Sequence, residues 1–324
     1  MPTEEAIKPP TSTTGIAEKV SYNVKTAPRL SYDRNIEGVV SSAVAIADMR
    51  GLSTQQLSIT LIDLKDDSFA EFNGNKPLFP ASIVKLFWLI ALFGHFDARQ
   101  NFQETVTQED LFGMIQNSDN NPASLILDKI TNTESGTELS DSELADWLAR
   151  RESINNFFRD AGYENININQ KNFPVPDLSL ERPEGREKQM RGEDKSFPIR
   201  NSLTSFSVAR LLFEIERGLA ISPEYSQKAM QLMKRDFARE QEREWDAIRG
   251  FLGDGLDQNE VELYSKPGWT EDSRQDATIV YSSDQQVKYI LVIFGSAPGY
   301  AEDEEIFPEL SKYIYSQMSA LSRR

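Results

Sequence analysis

The sequence predicts an α/β (α+β) fold in which one antiparallel sheet is built from both chain ends and flanked by helices, with an all-helical lobe inserted between. Two observations predict it. β-rich runs sit near the start and at the end of the chain, and the middle reads as helix after helix. With 39% hydrophobic and 10% aromatic residues over 324 positions, the chain has enough apolar mass for a substantial core.

Residues 1–29, rich in Pro, Thr and charge without apolar period, read as a flexible N-terminal arm. The domain proper is expected over 30–324, with the α/β lobe from about 30–80 and 205–324 and the helical lobe over about 81–204. Ser31 is a plausible N-cap, after which Ile36, Val39, Val40, Ala43 and Ala47 share one helical face. LSITLIDL and SFAEF alternate as strands around a Lys65-Asp66-Asp67 turn. From Ser82, IVKLFWLIALF is apolar nearly all round, which marks a buried central helix. LFGMIQ, PASLILDKI and the amphipathic ADWLARRESINNFFRDAG continue the helices, the last stopping at Gly162. Between Tyr163 and Arg200 the pattern fails, and four prolines mark a long loop of the kind that often carries function. SFSVARLLFEIERGL and PEYSQKAMQLMKRDF are again helical. VELYSK, DATIVYS and KYILVIFG are strands, and a last helix runs from about Glu304 to Leu321 behind the acidic cluster Glu302 to Glu305.

Composition narrows the chemistry. There is no cysteine and one histidine, His95, so a zinc or iron site and a cysteine nucleophile are ruled against, and any Ser-His-Asp triad would have to use His95. His95 itself reads as a charge at a helix C-terminus. No cofactor and no metal are expected. A net charge of −16 argues against nucleic acid or an anionic membrane as partner. No apolar run approaches the ~20 residues of a membrane span. The N-terminus has no signal-like basic and apolar regions, so the chain as written reads as cytoplasmic, or as periplasmic or extracellular if a signal was removed. A monomer is expected.

Three short motifs carry the candidate chemistry, each occurring once and in order. Ser82-Ile-Val-Lys85 places a hydroxyl and an amine on one helix face, one turn apart. A lysine buried in an apolar helix loses its charge readily and could take the serine proton, which supplies a nucleophile without histidine. Ser118-Asp119-Asn120 falls between two helices, where it would also serve as a cap. Lys266-Pro267-Gly268 closes a late strand, with Gly268 allowing close backbone approach. Taken singly, a surface pair, a helix cap and a strand-end turn are the commoner explanations.

Together they resemble the Ser-x-x-Lys, Ser-Asp-Asn and Lys-Thr-Gly set of class A β-lactamases and penicillin-binding proteins. The resemblance spans roughly Ser31 to Leu321 and includes FPASIVKLF and NSDNNPASLIL. It implies a nucleophile at Ser82, a base or relay at Lys85, a second relay hydroxyl at Ser118, and Lys266 assisting carboxylate recognition. It further implies substrate amide contact at Asn120, an oxyanion hole of the Ser82 and Trp269 N–H groups beside Gly268, a hydroxyl from Thr270, and, more loosely, a carboxylate-binding Arg274. The substrate it implies is a small-molecule β-lactam or a peptidoglycan-type peptide. The activity it implies is amide-bond hydrolysis through an acyl-enzyme on Ser82. A D-Ala-D-Ala carboxypeptidase, an esterase or a non-catalytic binding homologue on the same fold are the alternatives.

The sequence departs from that pattern in three ways. Pro267 replaces the usual Thr or Ser. The Ser82–Ser118 interval is short and the Ser118–Lys266 interval long, so one cleft wall is expected to be lost. The loop lacks the Glu that activates the deacylating water: counting places Asn172 there, leaving Glu181 and Glu184 as substitutes.

Overall fold

The computed structural model describes residues 20–98, 106–240 and 246–323. A six-stranded sheet, in the order β1-β3-β2-β6-β5-β4, is built from Ser31–Tyr32, Leu57–Asp63, Ser68–Phe72, Val261–Thr270, Ser273–Ser282 and Lys288–Gly295, numbered β1 to β6 along the chain. The two chain ends meet where β2 pairs antiparallel with β6, from Leu57 opposite Gly295 to Asp63 opposite Tyr289. The twelve α-helices are α1 (Arg34–Met49), α2 (Val84–Asp97), α3 (Gln108–Ile115), α4 (Asn120–Thr131), α5 (Asp141–Arg151), α6 (Ser153–Arg159), α7 (Gly185–Gln189), α8 (Ser205–Glu216), α9 (Pro223–Met233), α10 (Phe237–Glu240), α11 (Pro298–Glu302) and α12 (Ile306–Ser322).

The alternation along β2 divides the core. Leu57, Ile59 and Leu61 face α1 and α12 with Ile36, Val40, Leu310 and Ile314. Ile62 faces the other way, into a larger core formed by α2, α8 and the helical lobe. On that second face Ser58 and Thr60 hydrogen-bond the hydroxyl of Ser205 at 2.7 and 2.8 Å, so small polar residues let α8 lie close to the sheet. Helix α2 is buried from Val84 through Gly94, as an all-round apolar sequence requires. Phe87 packs edge-on to Phe158 and Tyr163 at 5.0 and 5.9 Å between ring centroids.

Several local expectations are corrected. Helix α1 is capped by Asp33, whose carboxylate accepts from the N–H groups of Asn35 and Ile36, while Ser31 belongs to a short strand parallel to β3. The segment 145–162 breaks into α5 and α6 at Glu152. Lys266-Pro267-Gly268 lies inside β4 rather than at its end. The proline is tolerated because β4 is an edge strand. Of the arm expected over 1–29, residues 1–19 lie outside the described residues, and Tyr22 is fully buried. Its hydroxyl and that of Tyr163 both donate to Glu214 at 2.5 Å, and Arg210 completes the group at 2.8 Å. Burial and the Glu214 charge hold both phenols protonated, well above the usual tyrosine range. Among the described residues no helix is long and apolar enough to cross a membrane.

Removing the Phe87 ring by Phe87→Ala is expected to cost about 3–5 kcal/mol, as for aromatic truncation in a closed core. In urea unfolding the midpoint should fall with the slope unchanged.

Candidate active site

Ser82 sits in a tight turn, Ala81–Ile83, that opens α2. Ala81 holds φ at 45°, a costly value for a residue with a Cβ, so the surroundings must impose it. They do so from three sides. Gln275 donates to the Phe79 carbonyl at 3.0 Å and Asn172 to the Ala81 carbonyl at 3.2 Å. From β4, Gly268 comes so close that a Cβ there would stand 2.9 Å from the Pro80 oxygen and 3.0 Å from the Ser82 nitrogen.

One turn into α2, Lys85 is fully buried. Its ammonium donates to the Ser118 carbonyl at 2.5 Å and to Asn120 Oδ1 at 2.7 Å, leaving one N–H for a further acceptor. Burial pushes its pKa down to about 7, with the Asp119 carboxylate opposing. Ser118 is itself in a left-handed conformation at φ 58°, which turns its carbonyl to Lys85 and its hydroxyl to Lys266 at 2.8 Å. Asp119 caps α4 through the Asn121 N–H, as a structural anchor should. Lys266, buried on β4, also donates to the Pro267 carbonyl at 2.9 Å. Burial first, then the Lys85 and Arg235 cations, drive its pKa well below the lysine range. Ser118 thus joins Lys85 of α2 to Lys266 of β4, with Ser82 in the turn that opens α2.

Ser82, Asn120, Asn172, Glu181, Trp269 and Thr270 line one cavity of about 240 Å³. Its far wall is the loop between Tyr163 and Arg200. Asn120 donates to the Pro174 carbonyl at 3.0 Å, fastening the loop to α4. Behind the loop, Lys171 and Arg151 share Asp128 and Glu187, with Lys171 Nζ 2.5 Å and Arg151 3.0 Å from Asp128. Two cations against two carboxylates balance charge where none reaches water freely. The cavity contains Asn172 at the counted position and Glu181 at its exposed rim. Glu184 caps α7 away from it, with Arg182 at 3.8 Å.

Two residues implied to bind substrate have their polar groups turned elsewhere. Arg274 lies on β5 opposite Trp269, and its guanidinium donates to the Gly250, Tyr300 and Ala301 carbonyls at 2.8, 3.0 and 2.8 Å. Those carbonyls take three of its five N–H donors. The Thr270 hydroxyl pairs with Ser273 at 2.8 Å. Trp269 is 44% exposed and donates its indole N–H to Ala301 at 3.2 Å.

Sequence reasoning did not find Arg235. Buried beneath Lys266, it donates to the Ser265 hydroxyl and carbonyl at 3.0 and 2.9 Å and to the Gln116 carbonyl at 3.1 Å. It therefore ties β4 to the end of α3, two residues before Ser118. No motif signalled it, because a lone Arg in a helix-ending sequence gives no period. Asp276, buried on β5, is pushed up to about 7 by desolvation against two backbone N–H donors. Among the described residues no group of three His, Cys, Asp or Glu side chains is placed to hold a metal.

The model of the β-lactamase enzyme family matches residues 42–318. The chain belongs to that family. Among solved structures, the β-lactamase of Sphaerobacter thermophilus is 16% identical with a TM-score of 0.62, covering 87% of this chain and 97% of that one. The structure of PBP-A is 17% identical with a TM-score of 0.61, covering 91% and 99%. A PBP-A variant in an acyl-enzyme complex with penicillin G is 16% identical at 0.61, covering 90% and 99%. At such identities the likeness is one of fold. A comparison with curated proteins returned no match. The family match supports a β-lactamase-like hydrolase.

The depressed Lys85 pKa sets a sign for stability. Between pH 7 and 10.5 the unfolded lysine stays charged while the folded one is neutral, so unfolding takes up a proton. Over that window the wild type should gain on Lys85→Met by up to about 1.4 kcal/mol per pH unit in urea unfolding.

Proposed function

We propose that the protein is a serine hydrolase that opens β-lactam amides through an acyl-enzyme on Ser82 and releases the acyl group slowly, in the manner of a penicillin-binding protein. One observation carries the reading: Lys85, at a pKa of about 7, lies one turn from Ser82 and shares Ser118 with Lys266.

Neutral Lys85 accepts the Ser82 proton as Oγ attacks the carbonyl carbon. The developing oxyanion is met by the N–H groups of Ser82 and Trp269, which the Gly268 approach brings near each other. Ser118 passes a proton to the leaving nitrogen, and its own hydroxyl is replenished through the lysine pair. Lys266, its pKa lowered by burial, offers the substrate carboxylate a hydrogen-bond donor rather than a fixed charge. Deacylation needs a base for water, and the amide of Asn172 is no base. Glu181 is the carboxylate of the cavity rim, and its place in the cavity with Ser82 favours a second reading, full β-lactam turnover with Glu181 as the base for water.

Incubation with benzylpenicillin, followed by intact mass, separates the two. A stable adduct on the wild type, absent from Ser82→Ala, is expected. A transient adduct with hydrolysed drug would assign turnover, and Glu181→Gln should then prolong the adduct. No adduct and no hydrolysis would overturn acylation at Ser82. The acylation rate should rise with pH through about 7 as Lys85 loses its proton, and Lys85→Ala should lower it by about 10²-fold or more. A rate flat from pH 5.5 to 8.5 would contradict the assignment of Lys85.

A further inference from the structure

The loop wall of the cavity carries a feature that this reading does not use. Arg191 and Arg200 both line the cavity that holds Ser82. Each guanidinium lies over a ring that lines the cavity, Arg191 5.7 Å from the centroid of Phe173 in the loop and Arg200 5.9 Å from that of Phe79, three residues before Ser82. Among the described residues neither guanidinium has a carboxylate within ion-pair distance. Arg182 beside them has only the exposed Glu184 at 3.8 Å. Lys171 in the same wall is already balanced by Asp128 and Glu187. Burial and the Arg200 cation both bear down on Arg191, with the Glu187 charge opposing. In a chain of 51 acidic and 35 basic residues, two arginines left without a carboxylate in one cleft wall are an arrangement the surrounding charge does not explain. Glu181 is the one acidic side chain that lines the cavity with them, and it is exposed.

The opposite wall is correspondingly poor in anion donors. Pro267 brings no hydroxyl, the Thr270 hydroxyl is paired with Ser273, and Arg274 has three of its N–H donors on backbone carbonyls. Asn120, where a substrate amide would dock, is hydrogen-bonded to Pro174 of the loop, so an acyl chain leaving that amide runs along the loop wall.

We infer that the acyl donor of this enzyme carries a carboxylate on its acyl side, received by Arg191 and Arg200 in the loop wall with Phe173 and Phe79 flanking the chain that bears it. The inference rests on acylation at Ser82. Planar guanidinium donors suit a carboxylate, and their aromatic platforms hold them against the cavity without neutralising them.

Benzylpenicillin and carbenicillin form a matched pair, since carbenicillin adds one carboxylate to the acyl side chain and changes little else. The second-order acylation constant, read by intact mass, should favour carbenicillin by about tenfold or more, the range of a charge-assisted hydrogen bond in a partly dry site. In Arg191→Gln/Arg200→Gln the ratio should fall to one or below, and in Arg200→Lys part of it should return. A wild-type ratio at or below one, or a ratio that survives the double substitution, overturns the inference. Should neither drug acylate Ser82, the acyl-enzyme reading fails by itself. Calorimetric titration with phenylmalonate and phenylacetate then decides the arginine site alone. Tighter binding of phenylmalonate that the double variant loses supports it, and equal binding refutes it. A thermal melt of the double variant at the wild-type midpoint confirms that the two arginines were not holding the fold.

Discussion

The rest of the site depends on burying one amine. Lys85 sits on a helix with no aqueous face, and the two acceptors that meet it, the Ser118 carbonyl and the Asn120 amide, belong to the start of the next helical layer. That pairing joins α2 to the α3–α4 turn, sets the left-handed backbone of Ser118, and so aims the Ser118 hydroxyl at Lys266 on the sheet. Burial also supplies the chemistry. A lysine in water is protonated at neutral pH, and desolvation is what brings this one into the range where it can act as a base.

Around that amine the protein holds two non-glycine residues, Ala81 and Ser118, in left-handed backbone. Each is over-determined: Ala81 by Asn172, Gln275 and the approach of Gly268, and Ser118 by Lys85 and Lys266. Strain of this kind persists only where the packing is closed, which explains why the sheet presents an edge strand with glycine at 268 and why Arg235 braces β4 against α3 from below. The charges follow the same logic. A field of −16 repels anions at a distance, while the Arg191 and Arg200 guanidiniums in the cavity wall supply local positive potential.

Much of this was legible in the sequence. The apolar run after Ser82 identifies a buried helix because period and length agree, and the alternation of LSITLIDL matches β2, whose two faces enter different cores. The three motifs lie within the span that the family model matches. What the sequence hid was direction. Arg274 lies at an expected position, yet its guanidinium points to the carbonyls of residues 250, 300 and 301, a choice made by loops remote in sequence. Tyr22 sits in a polar, proline-bearing segment with no period, and its burial comes from Glu214, 192 residues away. Arg191 and Arg200 fall in an irregular loop, where only the folded path shows which cations share a wall.

The most direct test of the account is the protonation state of Lys85 itself, followed by the ¹³Cε and ¹⁵Nζ shifts of labelled protein across pH 5 to 11. One lysine should titrate near 7, and its signal should vanish in Lys85→Met. If every lysine that disappears in that variant instead titrates above about 10, the amine is no base at neutral pH, and the mechanism built on it is wrong.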